Sequence, residues 1–240
     1  MCNKRHKKLS KIMKMHYLKL AFRSLVFISA LILYIYNRNL PAIFLTLIWC
    51  VFAIEMILRF LPSQLESMGC QKQFRKNFHP TNIPKENTQI QAPIRTWIVI
   101  AAWFSLNGFI ALLYYTHIID EGVLLLISLA YSVCDIICIL FFCPFQTWFM
   151  KNRCCCTCRI YNWDFAMMFT PLIFVKTIFA QTLVILSLAL LIRWEYTLYR
   201  HPEYFSENTN SSLSCNECQE KLCHHKKQLH RFWKREKKLS

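Results

Sequence analysis

Five blocks of about 20 consecutive apolar residues constrain the fold of this chain more than any other feature. A helix rises about 1.5 Å per residue, so a block of this length matches a hydrocarbon layer about 30 Å thick. Hydrophobic residues make up 55% of the chain, whereas apolar residues including glycine form about 45–50% of an ordinary soluble domain. The sequence therefore predicts a membrane protein whose apolar blocks are 18–36, 42–61, 96–117, 123–143 and 165–192.

The predicted fold is an all-α, multi-pass transmembrane helical bundle of about five spans. Polar breaks with prolines separate the blocks, because proline interrupts a helix and charged residues favour water. The last block is long enough to tilt across once but too short for two crossings. The predicted segments are a basic N-terminal segment 1–17, a first transmembrane hairpin 18–61, a polar loop 62–94, a second hairpin 95–143, a cysteine-rich loop 144–164, a last transmembrane helix 165–193 and a cysteine-rich basic tail 194–240.

The distribution of positive charge predicts the orientation of the chain. Basic residues crowd the segment before the first block, and the loop 62–94 carries Lys72, Arg75, Lys76 and Lys85. The positive-inside rule therefore places the N-terminus and this loop in the cytoplasm. Five crossings then put the tail outside, although its far part, 226–238, is strongly basic. We expect the tail to lie outside because charges distant from a span are weak determinants of orientation.

Composition excludes several classes of function. The three glycines, Gly69, Gly108 and Gly122, are far apart, and a phosphate-binding loop needs clustered glycines. The helix-borne zinc-protease motif and a glycine-flanked nucleophilic serine are also missing from the sequence. The net charge of +16 lies outside the apolar blocks, so we expect the partners to be the lipid bilayer and its anionic headgroups, and no nucleic acid.

Three ionisable residues, Glu55, Asp135 and Lys176, lie well inside apolar blocks and form a predicted intramembrane polar cluster. An unpaired charge near the bilayer centre costs at least about 2.5–3.5 kcal/mol. We predict that Lys176 lies between the two carboxylates, and that Arg59, one helical turn from Glu55, neutralises the remaining charge. A structural clamp, a proton or ion pathway, and exposure in a lipid-facing water defect are the open interpretations.

Thirteen cysteines, two clusters among them, suggest thiol chemistry. A two-residue gap allows both thiolates of a turn to reach one ion at about 2.3 Å, and another Cys with a neighbouring His completes a tetrahedral zinc site. A disulfide or redox pair and unliganded thiols are the alternatives. The predicted ligands are Cys215, Cys218, Cys223 and His224 in the tail and Cys154, Cys155 and Cys158 in the loop.

A further set of cysteines lies near the end of the fourth block. Cys134 and Cys138 are four residues apart and share a helical face. We expect Cys143 to be rotated away from Cys138 if the helix continues to residue 143. Packing explains these three residues, and a soft-metal or redox path through the fourth helix is the alternative.

The segment 143–223 resembles the C-terminal half of a family of uncharacterised bacterial multi-pass membrane proteins with a cysteine-rich loop and tail. The resemblance implies a bacterial cytoplasmic (inner) membrane and no mechanism. It also implies that loop and tail act as one unit on one face, which conflicts with five spans. The matching residues are Cys143-Pro144, Lys151-Asn152, Cys154-Cys155, Cys158-Arg159, Asn162-Trp163-Asp164, Arg193-Trp194-Glu195, His201-Pro202-Glu203 and Cys215-x-x-Cys218.

Three hypotheses about function follow from these patterns. The first is a membrane protein, not an enzyme, that binds a transition metal, zinc above all, in a structural, sensing or metal-handling role. The second is a membrane thiol–disulfide oxidoreductase in which Cys155 and Cys158 exchange electrons with a quinone or with the tail thiols. The third is a small ion or solute transporter whose path is lined by the intramembrane polar cluster.

Overall fold

The computed structural model describes residues 11–38, 41–62, 72–81, 93–152, 157–214 and 226. Within this part of the chain, helices and short helical turns account for the regular structure, and the only extended pairing is an isolated bridge between Pro80 and Asn210. The α-helices are α1 (Lys11–Asn37), α2 (Ala42–Arg59), α3 (Pro93–Tyr115), α4 (Glu121–Leu140), α5 (Asp164–Phe169) and α6 (Ile178–Arg200).

Five of the helices in the described ranges, all but α5, are long and apolar enough to cross a membrane. Their outward faces carry large apolar side chains, among them Ile43, Phe104 and Ile185, which are 78%, 67% and 66% exposed. Lipid chains are the solvent in which such a surface is stable, whereas soluble proteins rarely expose apolar patches of this extent. The prediction of an all-α multi-pass bundle is confirmed.

Prolines and capping residues set the ends of these helices. Pro41 precedes α2, and Pro144 and Pro202 follow α4 and α6, where the missing N–H and the ring prevent a helix from continuing. The Asp120 carboxylate accepts a hydrogen bond from the backbone N–H of Val123, 3.0 Å away, and so caps α4. These local signals agree with the polar breaks between the apolar blocks.

Helices α1 and α3 run in one direction and α2, α4 and α6 in the other, and their contacts define two ends of the bundle. At one end, the beginning of α1 meets the end of α4 through Tyr17 and Phe141, whose rings lie 6.1 Å apart. At the other end, the Tyr34 hydroxyl donates a 2.8 Å hydrogen bond to Asp120. We call the first the basic end, because the basic turn 72–77 also lies there, next to the end of α6. Phe74 of this turn and Trp194 of α6 have rings 5.2 Å apart.

The last apolar block is divided, and the single helix predicted over 165–193 is wrong. The chain forms α5, a 3-10 turn at Thr170–Phe174 and an extended stretch over 175–177 before α6 begins at Ile178. Pro171 lacks the N–H that a continuous helix needs at this position. The Thr177 hydroxyl then accepts a hydrogen bond from the backbone N–H of Ala180, 3.3 Å away, and starts a new helix.

The short segment from α5 to residue 177 connects the two ends of the bundle. Asp164 pairs with Arg59 at the basic end, and Phe174 contacts Tyr115 at the other end, with ring centroids 5.9 Å apart. Six helical, five 3-10 and three extended residues cover about 29 Å, close to the hydrocarbon thickness. Phe165, Met168 and Leu172 are buried along the way. Between α4 and α6 the chain therefore passes through the bundle once more.

This additional pass returns the tail to the basic end. Asn210 pairs with Pro80, and the Ser212 hydroxyl donates a 2.8 Å hydrogen bond to the carbonyl of Asn77. Further along the tail, the Lys226 ammonium donates a 2.7 Å hydrogen bond to the carbonyl of Cys138 near the end of α4. The expected placement of the tail on the side opposite the polar loop is wrong, because the broken segment crosses where a single helix was expected.

Candidate functional site

Sulfur atoms from four parts of the chain line one cavity at the basic end. The cavity, which we call the sulfur cavity, has a volume of about 130 Å³. It lies between α4, α5, the turn after α4 and the segment that leads into α5. Its sulfur-bearing residues are Cys134, Cys138, Cys143, Cys158, Met167 and Met168, and aromatic side chains such as Trp103 and Tyr161 complete the lining.

The end of α4 brings Cys143 back onto Cys138. The helix stops at Leu140, three residues earlier than the apolar block suggested, and Pro144 follows the turn. Cys143 therefore lines the same cavity as Cys138, and the Cys138 side chain is the largest influence on the pKa of Cys143. The prediction that Cys143 is rotated away from Cys138 is therefore wrong, because it assumed three more helical residues.

The environment of Cys143 favours its thiolate. The neighbouring Cys138 side chain makes the largest contribution, and the backbone N–H of Gln146 donates a hydrogen bond to the Cys143 sulfur at 3.4 Å. The Lys226 ammonium and the backbone N–H of Phe145 contribute further, and together they outweigh the opposing effect of burial. The pKa of Cys143 is lowered to about 7, so a large fraction of this thiol is ionised at neutral pH.

Lys226 connects the tail to this site. Its ammonium group donates hydrogen bonds to the Cys138 carbonyl at 2.7 Å and to the Gln146 side-chain oxygen at 3.4 Å. Lys226 follows the predicted ligands Cys223 and His224 closely in the sequence. The tail therefore reaches the sulfur cavity at Lys226.

Cys158 is the one predicted loop ligand that the structure describes. It is 3% exposed and lines both the sulfur cavity and a second, more polar cavity beside it. The next residue, Arg159, forms an ion pair with Glu195 of α6, and the Trp163 indole N–H donates a 2.7 Å hydrogen bond to the same carboxylate. The Arg159 side chain, next to Cys158, is thus held by α6.

The remaining predicted metal ligands lie outside the described residues: Cys154, Cys155, Cys215, Cys218, Cys223 and His224. Within the described ranges, no group of three or more His, Cys, Asp or Glu side chains is placed to hold a metal ion. Among the described residues, five cysteines form no disulfide: Cys50, Cys134, Cys138, Cys143 and Cys158.

Arg23 joins the two intramembrane carboxylates. Its guanidinium group is 2.9 Å from Glu55 and 3.2 Å from Asp135, and it donates a 2.9 Å hydrogen bond to the carbonyl of Ser132. Lys19 forms a second ion pair with Glu55. The prediction that these two carboxylates share a cation is therefore met by a residue of α1.

The predicted roles of Lys176 and Arg59 are wrong. Lys176 lies exposed between the 3-10 turn and α6, at the end opposite the basic end, because the helix break removes it from the middle of a span. Arg59 pairs with Asp164, 2.6 Å away, rather than compensating Glu55 alone. In this network, three cations (Lys19, Arg23, Arg59) meet three carboxylates (Glu55, Asp135, Asp164).

A spacing signal in the first apolar block identifies Arg23. His16, Lys19 and Arg23 follow one another at three and four residues and so share one face of α1. A helix whose polar residues all lie on one face directs them into a bundle, because lipid cannot solvate them. All three residues belong to this cluster, and His16 is fully buried between the same helices.

No protein-family model matches this chain, and no similar curated protein or solved structure was found by comparison. The geometry of the sulfur cavity and of the charged network is therefore the basis for the proposals below.

Proposed function

We propose that this chain is a membrane thiol–disulfide oxidoreductase whose reactive pair is Cys138 and Cys143. The observation that carries the proposal is that Cys138 and Cys143 line the same cavity, where the Cys138 side chain is the largest influence on the Cys143 thiol. A thiolate next to a protonated thiol is the arrangement in which one sulfur attacks and the other resolves the mixed disulfide. Cys158, in the wall of the same cavity, provides a third thiol for exchange.

The reaction conserves atoms and electrons. The Cys143 thiolate attacks one sulfur of a disulfide R–S–S–R, forms a mixed disulfide and releases one thiolate. Cys138 then loses its proton and attacks the Cys143 sulfur, which releases the second thiolate and leaves a Cys138–Cys143 disulfide. The substrate gains two electrons and the protein loses two, and a dithiol reductant returns them for the next turnover.

The two sulfurs have different surroundings, which assigns their roles. Cys143 lies in the turn beyond α4 and accepts the hydrogen bonds that stabilise its anion. Cys138 lies within α4, one helical turn beyond the Asp135 carboxylate, and a carboxylate nearby disfavours a second anion. Cys143 is therefore the attacking thiol, and Cys138 is the resolving thiol.

Single-turnover exchange tests this proposal. The reduced full-length protein in detergent is mixed with 2-hydroxyethyl disulfide, and thiol loss is followed by stopped alkylation and mass measurement. We expect Cys143→Ser to abolish the fast phase and Cys138→Ser to leave a trapped mixed disulfide on Cys143. Cys50→Ser, which removes a thiol from α2, is the matched control and keeps the fast phase. A fast phase that survives Cys143→Ser contradicts the proposal.

Zinc binding by loop and tail is the second candidate, because both lie at the basic end of the bundle. Cys158 in the loop, and Ser212 and Lys226 on either side of the predicted tail ligands, all lie at this end. We expect about one zinc per chain after purification without chelator if four Cys and His ligands form one site. Less zinc than this, with tail thiols that alkylate freely, excludes the second candidate.

The orientation we propose places the basic end in the cytoplasm of a bacterial cell, with the N-terminus on that side. The basic turn Arg75–Asn77, the loop before α5 and the tail all lie at this end. The positive-inside rule supports a cytoplasmic position for such loops, and anionic lipid headgroups complement their charge. The reactive pair then faces the cytoplasmic half of the membrane.

A further inference from the structure

The sulfur cavity borders the charged network as well as the cysteines. Two carboxylates line it, Asp135 of α4 and Asp164 of α5. The Asp164 side chain is 7% exposed and pairs with Arg59 at 2.6 Å. The Asp135 side chain is 17% exposed and pairs with Arg23 at 3.2 Å. In the described part of the chain, Asp135 is therefore the more accessible of the two carboxylates at this cavity.

Asp135 lies one helical turn before Cys138, so the two side chains share a face of α4. Side chains at this spacing have Cβ atoms about 5–6 Å apart, and both of these side chains line the cavity. Arg23 donates its hydrogen bond to one oxygen of the Asp135 carboxylate, Oδ2. No described residue donates a hydrogen bond to the other oxygen, Oδ1, which is available to accept a proton.

Formation of a Cys138–Cys143 disulfide requires Cys138 to lose its proton inside this cavity. Much of the cavity wall is apolar or aromatic, including Trp103, Ile139 and Phe145. Loss of the proton to water would leave a thiolate beside the Asp135 carboxylate, and surroundings of low polarity disfavour two adjacent anions. Transfer of the proton to Asp135 instead leaves the net charge of the cavity unchanged.

The charged network also supports a protonated Asp135. Arg23 lies 2.9 Å from Glu55, so its guanidinium group keeps a carboxylate partner when Asp135 becomes neutral. Tyr131 and Tyr161 line the same cavity. The charged and titratable groups that act on Asp135 come from α1, α2, α4 and α5: Arg23, Glu55, Arg59, Cys134, Cys138 and Asp164.

We infer that Asp135 accepts the proton of Cys138 when the mixed disulfide on Cys143 is resolved. This inference rests on the proposed function. The Cys138 S–H bond breaks, its sulfur forms a bond to the Cys143 sulfur, and the substrate thiolate leaves with the electron pair of the broken S–S bond. The proton is held on the Asp135 carboxylate until it passes to water.

Separate measurement of the two exchange steps tests the inference. Reduced full-length protein in detergent is mixed with 2-hydroxyethyl disulfide, quenched in acid and alkylated, and mass measurement counts the mixed disulfide and the Cys138–Cys143 disulfide separately. We expect Asp135→Asn to leave the attack by Cys143 unchanged and to slow resolution about 100-fold, so that the mixed disulfide accumulates. Glu55→Gln removes the other carboxylate bound to Arg23, away from the cavity lining, and is the matched control with both steps unchanged.

The pH profile of resolution separates proton transfer from a structural effect. Asp135 is paired with Arg23 and ionised at neutral pH, so we expect the wild-type resolution rate to be constant between about pH 7 and pH 8. In Asp135→Asn the rate should rise about tenfold per pH unit, because only solvent removes the thiol proton. Asp135→Glu keeps a carboxylate and should restore part of the resolution rate.

An equal loss of both steps in Asp135→Asn, or an unchanged resolution rate, overturns the inference. If Asp135→Asn does not fold, the wild-type profile decides: resolution that rises about tenfold per pH unit below the pKa of an ordinary thiol overturns the inference. If wild-type Cys143 forms no mixed disulfide, the proposed function itself fails. Failure of the inference alone leaves both steps present in the wild type.

Discussion

At the scale of single residues, Arg23 determines how the first helix joins the bundle. Its side chain is 3% exposed and bridges carboxylates from α2 and α4, so one guanidinium group fixes three helices. A planar guanidinium group has enough N–H donors to bond two carboxylates and a carbonyl at once. A lysine ammonium carries its donors on a single nitrogen and does not reproduce this geometry. The balance of cations and carboxylates favours the structural clamp over an ion pathway.

Replacement of Arg23 by methionine tests the clamp. We expect Arg23→Met to lower the free energy of unfolding in detergent by about 3–5 kcal/mol, because Glu55 and Asp135 remain buried with less compensation. Addition of Asp135→Asn to Arg23→Met recovers part of the loss. Lys176→Met changes an exposed cation at the other end and is the control, with little effect on the melting temperature. A loss no greater than that of the control contradicts the clamp.

The ionisation of Cys143 leads to a second prediction at this scale. With the pKa of Cys143 lowered to about 7, its rate of alkylation by iodoacetamide rises through pH 7, whereas an ordinary thiol rises near pH 8.5. Lys226→Gln removes a nearby positive charge, so we expect the midpoint to move to higher pH and the rate at pH 7 to fall. Lys176→Gln leaves the midpoint in place. A wild-type midpoint above pH 8 contradicts the predicted thiolate.

Sequence alone predicted that Glu55 and Asp135 approach each other, but not which cation they share. Depth along an ideal helix is set by residue count, and both carboxylates lie near the ends of correctly placed helices. Lys176 failed as the partner because its depth was counted along a helix that does not form. The partner was decided by the packing of α1 against the other helices. Residue spacing shows which face of α1 is polar, but it does not show which helices that face contacts.

At the scale of helices, breaks and caps decide what each apolar block becomes. Hydropathy finds a block but does not show whether its backbone is continuous, and the block 165–193 contains both a broken segment and most of a spanning helix. In the sequence, Pro171 indicates a break in this block. Nothing in the sequence indicates the extended backbone at Val175 and Thr177. An early end of α4 likewise placed Cys143 against Cys138.

The cap of α4 provides a prediction at this scale. Asp120 accepts hydrogen bonds from the Val123 N–H and from the Tyr34 hydroxyl, so we expect Asp120→Ala to destabilise the protein by about 1–2 kcal/mol at neutral pH. Asp120→Asn, which keeps a side-chain oxygen for the cap, loses less. Thermal unfolding in detergent across a pH series measures both variants.

The pH dependence of this effect has a definite sign. The backbone N–H of Val123, the Tyr34 hydroxyl and the positive charge of Arg38 hold the pKa of Asp120 below its usual value, against the opposing effect of partial burial. A lowered folded-state pKa contributes stability above the pKa of the unfolded chain, near 4, and this contribution is lost as the pH falls through the folded-state pKa. The difference between wild type and Asp120→Ala should therefore shrink in acid, and a difference that grows in acid contradicts the assignment.

At the scale of the whole molecule, the additional pass through the bundle places the described parts of the loop before α5 and of the tail at one end. The five long helices follow from sequence, but five crossings alone would separate the loop before α5 from the tail. The positive charge of the tail predicts that it lies on the same side as the basic loop. The broken segment brings the tail to that side, because it adds one pass through the bundle. A sequence count of spans missed it because only 14 residues, 164–177, form the pass.

Reporter fusions test this arrangement in a bacterial host. A fluorescent protein fused after Ser240 of the full chain should fluoresce, because the tail lies at the basic end, which we place in the cytoplasm. A phosphatase inserted after Ile118, in the turn between α3 and α4, should be active, because that turn lies at the other end. If both positions report the same side, the additional pass does not cross the membrane.

The most direct test of the reactive pair is a redox titration with identification of the bond that forms. Purified full-length protein is equilibrated in dithiothreitol buffers of graded potential, alkylated in acid and mapped by peptide mass. We predict a two-electron transition in which a Cys138–Cys143 disulfide forms and in which Cys50 stays reduced. If Cys138 and Cys143 remain separately alkylated under oxidising conditions that leave the fold intact, the pair is not redox-active and the account is wrong.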